Sequence, residues 1–192
     1  MSFSYEAFHG TGLPWRPVFK QKLSETLPAT SFALLIADIS GFSIFNLTTS
    51  HDAGNRILES LAADVVRIFP GSLVGRYGGD SFVVQVLDKG SAEALAEALR
   101  SEFDLKHAEL SAESSAKHFG CPVQGAKPFV TGGDEVRAAF TSFGQVLKLA
   151  IGIAYSSGPD CDLIRLFEAT EAAVLASKVA GSNRTSVAPG EY

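Results

Sequence analysis

The sequence predicts an α/β fold, a mixed and mainly antiparallel sheet flanked by helices. Three observations carry that expectation. Phe32 to Ala37 is a continuous apolar run of the kind found in a strand covered on both faces. Residues 73–87 (LVGRYGGDSFVVQVL) place two β-rich runs on either side of Gly78 and Gly79. Residues 147–155 (LKLAIGIAY) alternate with period 2, and helical patterns lie between and after these runs.

Taken in order, residues 1–30 read as an N-terminal arm broken by Gly10, Gly12, Pro14, Pro17 and Pro28. Trp15 and Phe19 are its expected anchors, and PVFKQKLSETL reads as a short helix. Residues 31–190 read as one domain. Its first helix spans Asp52 to Phe69, with Ile57, Leu61, Val65 and Ile68 inward and Pro70-Gly71 as the stop. Gly78 and Gly79 are expected at φ > 0, as a tight two-residue hairpin turn requires. Residues 91–105 form the next helix, capped by Ser91, with Ala94, Leu95, Ala98 and Leu99 inward. The closing helix, about 161–180, keeps Leu163, Leu166, Phe167 and Val174 inward, and Gly181 is its left-handed cap. The TSVA run after it suits a sheet edge.

At 192 residues, 46% hydrophobic and 19% charged, the chain suits one well-cored domain. A net charge of −5 argues against a general nucleic-acid surface, although bound nucleotides remain compatible through metal ions. Cys121 and Cys161 are far apart and make neither a disulfide framework nor a zinc site. The N-terminus lacks a basic region followed by an apolar one, and no run approaches the ~18 apolar residues of a membrane span. A cytoplasmic protein without membrane partners is expected.

The chemistry centres on two acids. Asp38 ends the apolar strand, and Asp80 sits at the rim of the Gly-Gly turn. Brought side by side, two strand-end carboxylates would hold a divalent cation and, through it, phosphate. Taken singly, Asp38 also reads as a helix cap and Asp80 as a turn acid. Ser40, Gly41, Phe42 and Ser43 follow the strand directly, where backbone N–H groups opening a short helix cradle a triphosphate; an ordinary turn is the bland alternative.

Four collinear blocks resemble the GGDEF domain of diguanylate cyclases, over roughly residues 31–103 and 146–187. IADISGFSIFN is similar to the family's L-D-x-D-x-F-K-x-x-N, and HDAGNRILESLA to G-H-x-x-G-D-x-x-L. GRYGGDSFVV is similar to R-Y-G-G-D-E-F with Ser81 in place of Glu. LAIGIAYSSG and the closing helix are similar to S-I-G-V-A and A-K-x-x-G-x-N.

The resemblance implies a palm-type, ferredoxin-like sheet and a metal-dependent nucleotidyl cyclase making a cyclic mono- or dinucleotide signal from GTP or ATP. It implies Asp38 and Asp80 as catalytic ligands of Mg²⁺ or Mn²⁺, together with Ile39. The nucleotide site would take in Ser40 to Ser43, Asn46, Asn55, Gly78, Gly79 and Lys178. Asn46 matches a guanine-contacting asparagine, while Asn55 replaces its partner aspartate. An amide both donates and accepts, which leaves ATP open as a substrate. Lys178 matches a phosphate-binding lysine, and it also suits the helix dipole where it stands. The arginine expected four residues later is Ser182, with Arg184 as a stand-in. The R-x-x-D product-inhibition motif would fall at Phe69 to Ser72 and is not present.

Catalysis is expected in a homodimer, with a regulatory protein as a further partner. DISGFS also resembles the first metal motif of class III nucleotide cyclases, and the pair of aspartates resembles small relatives of type III CRISPR polymerase subunits. Residues 104–145 do not fit the family and read as an insertion. The GGDE string at Gly132–Glu135 within it reads as coincidence. Two other readings stay open: a degenerate domain that binds a nucleotide or a protein without turnover, and a metal-dependent nucleotide hydrolase.

Overall fold

The structure, a computed structural model, describes residues 10–118 and 147–192. Its centre is β1 (Ala33–Ser40), the apolar run singled out above. Flanking it are β2 (Leu73–Arg76), β3 (Ser81–Val86), β4 (Lys148–Tyr155) and β5 (Arg184–Glu191), in the sheet order β2-β3-β1-β4-β5. All neighbours are antiparallel except β4 and β5, which run parallel at the edge. The fold class is as expected, a mixed, mainly antiparallel sheet between helices.

Period-2 alternation assigns the two faces of β1. Ala33, Leu35, Ala37 and Ile39 belong to one core, shared with α2 (Phe42–Thr48), α3 (His51–Ile68) and α4 (Ala92–His118). Leu34 and Ile36 belong to the other, shared with α1 (Arg16–Glu25) and α5 (Leu163–Val179). On that second face α5 lies almost against the sheet. A Cβ on Gly152 would stand 2.4 Å from Val174 N and 2.5 Å from Thr170 O, so only glycine allows the approach. The Ser177 hydroxyl donates to the Ile151 carbonyl at 2.7 Å and ties the same helix down again.

Several expectations shift in detail. α3 begins at His51, because Ser50 takes the capping role and accepts from Ala53 N–H at 3.1 Å. α4 is buried along Ala92, Ala96, Leu99, Phe103 and His107, whereas Ala94 and Ala98 are exposed. Ser91 does not cap it: its hydroxyl donates to the Asp88 carbonyl at 2.9 Å within a short 3-10 turn. Nor does the helix stop near 105. Residues 104–118, placed in the expected insertion, continue α4 on good helix formers such as Ala, Glu, Leu and Lys. The rest of that segment, with Cys121 and Gly132–Glu135, lies outside the described residues.

The β2–β3 connection is also longer than two residues. Tyr77 to Asp80 all lie between the strands, and Tyr77 N–H and Gly78 N–H both donate to Ser81 O, at 2.8 and 3.3 Å. Spread over four residues, the reversal leaves neither Gly78 nor Gly79 at positive φ. A Cβ on Gly78 would meet Ser81 Oγ at 2.6 Å, so a side chain there needs the Ser81 hydroxyl to swing aside.

The N-terminal arm is docked on this hairpin. Arg76 N–H donates to Pro14 O at 2.8 Å, and Trp15 forms a parallel bridge with Arg76. The Phe19 ring lies 2.7 Å from where a Gly75 Cβ would be, and Phe19 and Leu23 are fully buried. No helix among the described residues is long and apolar enough to cross a membrane.

Candidate functional site

The site forms where β1 ends. Asp38 follows Leu34 and Ile36 on the α5 face, and it pairs across β1–β3 with Ser81. Asp80 is the last residue of the turn. Its carbonyl accepts from Ile39 N–H at 3.1 Å, which stitches the turn to the end of β1. One cleft of ≈ 310 Å³ is lined by both acids, Ile39, Ser40, Gly41, Phe42, Ser43 and Lys178, along with Ile44 and Ser182. Eight of the residues expected from sequence are therefore brought together. Gly41, at φ 85°, turns the chain from β1 into α2.

The two acids share an electrostatic environment. Burial pushes the Asp80 carboxyl above its usual range, and repulsion from Asp38 adds to that push; Lys178 and Arg76 act against it. Lys178 Nζ reaches Asp38 Oδ1 at 2.7 Å. Arg76 is fully buried, its Nη2 donates to the Gly79 carbonyl, and its guanidinium lies 4.5 Å from the Phe82 ring centroid. Burial lowers its pKa to about 10, opposed by Asp80. Arg76 thus pins the turn that carries Asp80.

Four expected residues do not line this cleft. Gly78 and Gly79 shape the turn. Asn46 packs on α3 so tightly that a Cβ on Gly54 would meet its Oδ1 at 2.0 Å, and that buried oxygen has no hydrogen-bond partner among the described residues. Asn55 is exposed on α3, one position beyond Gly54. Arg184 is likewise exposed, at the start of β5, and does not line the cleft. Ser40 Oγ is buried and without a partner among the described residues.

A second cleft, ≈ 180 Å³, opens on the other side of the Asp38–Lys178 pair. Ile36, Tyr77, Ser81, Glu171, Val174 and Leu175 complete its lining. The Tyr77 hydroxyl donates to Glu171, whose carboxylate also lies 3.4 Å from Arg16. Arg16 in turn lies 4.2 Å from the Tyr77 ring centroid. Burial and Glu171 push the Tyr77 phenol up. Neither Tyr77 nor Glu171 was expected at the site from sequence. One signal was available: Glu171 precedes Lys178 by seven residues, two helical turns, and so shares its face. Among the described residues no three His, Cys, Asp or Glu side chains cluster as a metal site would need.

Residues 9–127 match the family model described as "Diguanylate cyclase, GGDEF domain", and the chain belongs to that family. The match takes in α1 and ends before β4, so Lys178 lies beyond it. The GGDEF domain of DgcB from Caulobacter crescentus, solved in complex with c-di-GMP, superposes with TM-score 0.67 at 20% identity, covering 99% of both chains. That likeness concerns the fold.

Among curated proteins, the chain is 24% identical over 179 residues to "Cyclic di-GMP phosphodiesterase PdeB" of Shewanella oneidensis. It is 25% identical over 173 residues to "Diguanylate cyclase DosC" of Escherichia coli K12. These matches cover 92% and 88% of this chain but only 18% and 31% of those proteins, so the chain spans under a third of either.

Proposed function

We propose that the chain is a metal-dependent nucleotidyl cyclase domain, using GTP or ATP to make a cyclic mono- or dinucleotide signal. One observation carries the reading: Asp38 and Asp80 open into a single cleft with Lys178 and the Ser40–Ser43 turn. The donor set fits a divalent cation. Two carboxylates supply the hard oxygens that Mg²⁺ and Mn²⁺ prefer, and their mutual repulsion is relieved by a cation between them. Asp38 and Asp80 would hold it, with the Ile39 carbonyl as a backbone ligand. When bound, it would supply charge neutralisation of the phosphates and acidify an attacking hydroxyl.

The chain's own residues then orient the reaction. The turn at Ser40–Ser43 offers N–H groups to the triphosphate, and Lys178 places a cation beside it. Arg76 holds the Asp80 turn in place through Gly79. A 3′-hydroxyl oxygen attacks an α-phosphorus, the bond to the β-phosphate oxygen breaks, and pyrophosphate leaves; the hydroxyl proton passes to solvent. For a dinucleotide each of two protomers would present one nucleotide, which calls for a homodimer. The family description, "Diguanylate cyclase, GGDEF domain", supports a product of this class.

A specific observation favours a second reading. Ser81 stands where the resembled family carries a further acid, and it is buried, 6% exposed, with no third carboxylate clustered beside it among the described residues. A domain with a reduced donor set would bind a nucleotide, or a regulatory protein, without turnover. Incubation with each of the four NTPs in Mg²⁺ or Mn²⁺, read by mass spectrometry, separates the two. A pyrophosphate-releasing product that is lost in Asp38→Ala and Asp80→Ala supports the cyclase; nucleotide binding without product supports the binding domain.

A further inference from the structure

Lys178 occupies a double position. Its Nζ is 2.7 Å from Asp38 Oδ1, and with Asp38 it forms the wall between the two clefts. It is also the only cationic side chain lining either cleft among the described residues. Ser182, four residues further on, is neutral, and Arg184 lines neither cleft. A single ammonium cannot neutralise Asp38 and a triphosphate at the same time. Its stem is free to exchange between them: the Lys178 side chain is 39% exposed, whereas Asp38 is 16% exposed.

We propose that Lys178 is an exchangeable counter-ion, holding Asp38 until a divalent cation displaces it and then turning to the nucleotide phosphates. This rests on the reading of Asp38 and Asp80 as the cation site. Each event favours the other. A cation on Asp38 releases Lys178 toward phosphate, and phosphate that draws Lys178 away uncovers Asp38. Cation and nucleotide therefore bind with positive coupling, and the coupling is reciprocal. Lys178 is a positioning residue in the empty site and a phosphate ligand in the filled one.

The test uses Mn²⁺ alone, without nucleotide, with the free ion measured by electron paramagnetic resonance. The full chain is compared with Lys178→Met, Lys178→Gln and Asp38→Asn, each checked for folding by circular dichroism. Removing the competing ammonium is expected to tighten Mn²⁺ binding roughly tenfold in both Lys178 variants. Binding that appears only in the Lys178 variants supports the proposal equally. Unchanged or weaker binding in both variants, with Asp38→Asn losing the ion, overturns the exchange and leaves the cation site standing. Absence of Mn²⁺ binding from the full chain and the Lys178 variants alike overturns both.

Discussion

Asp80 shows what a half-buried carboxylate costs a fold. Burial and Asp38 raise its pKa in the folded protein. A raised carboxyl favours folding only while it is protonated, below its unfolded value, and that advantage is lost as pH rises through the folded value. At neutral pH the ionised Asp80 therefore opposes folding. Asp80→Asn is expected to raise the melting temperature at pH 7 in the absence of divalent cation, by a margin that shrinks as pH falls into the acid range. Thermal denaturation across that range checks it; a lower melting temperature at pH 7 would contradict it. If the domain is a cyclase, the same variant should lose roughly a hundredfold or more in turnover, since it removes one of the two charged groups proposed to hold the cation. Asp38 and Asp80 stand out in the sequence because one closes an apolar run and the other follows a Gly-Gly pair. Tyr77 and Glu171 do not, because their hydrogen bond joins residues 94 apart in sequence.

At the level of elements, β4, α3 and α5 were legible to within a residue or two, since strong periodicity and stop signals coincide there, while β1 runs three residues past the apolar run that marked it. α4 was misread for a physical reason. Alanine is equally at home on either face of a helix, so Ala94 and Ala98 could not be told from Ala92 and Ala96. The long helical run past residue 105 carried no breaker, and only an expected family length argued for stopping it. The turn was misread because two glycines imply a left-handed two-residue turn, whereas the reversal is spread over four residues with neither glycine at positive φ. Gly152 gives the sharpest element-scale prediction. A methyl group there meets the backbone of α5, so Gly152→Ala should cost about 1–3 kcal/mol in chemical denaturation. Because α5 carries Lys178, nucleotide affinity should fall with it. Stability equal to the parent chain would show that α5 rides freely on the sheet.

Across the whole molecule, the N-terminal arm is joined to the site by position. Pro14, Trp15 and Phe19 hold β2 at its edge, Arg16 lies over Tyr77, and Tyr77 leads into the turn that presents Asp80. Truncating the fully buried Phe19 to Ala should cost about 3–5 kcal/mol, and a loss below about 1 kcal/mol would mean that α1 is a detachable appendage. The sequence foresaw these anchors, but not their proximity to the acids, because sheet order is set by pairings that no local pattern encodes. If two protomers each present a nucleotide, specific activity should rise with protein concentration through the dimerisation range. A specific activity independent of concentration would favour a mononucleotide product made within one chain.

Crystals soaked in Mn²⁺ and measured at its absorption edge show whether Asp38 and Asp80 grip one cation together. The expected result is an anomalous peak touching a carboxylate oxygen of each residue, at about 2.1 Å. A peak resting on neither acid, or on Asp38 alone with Asp80 turned away, would contradict it.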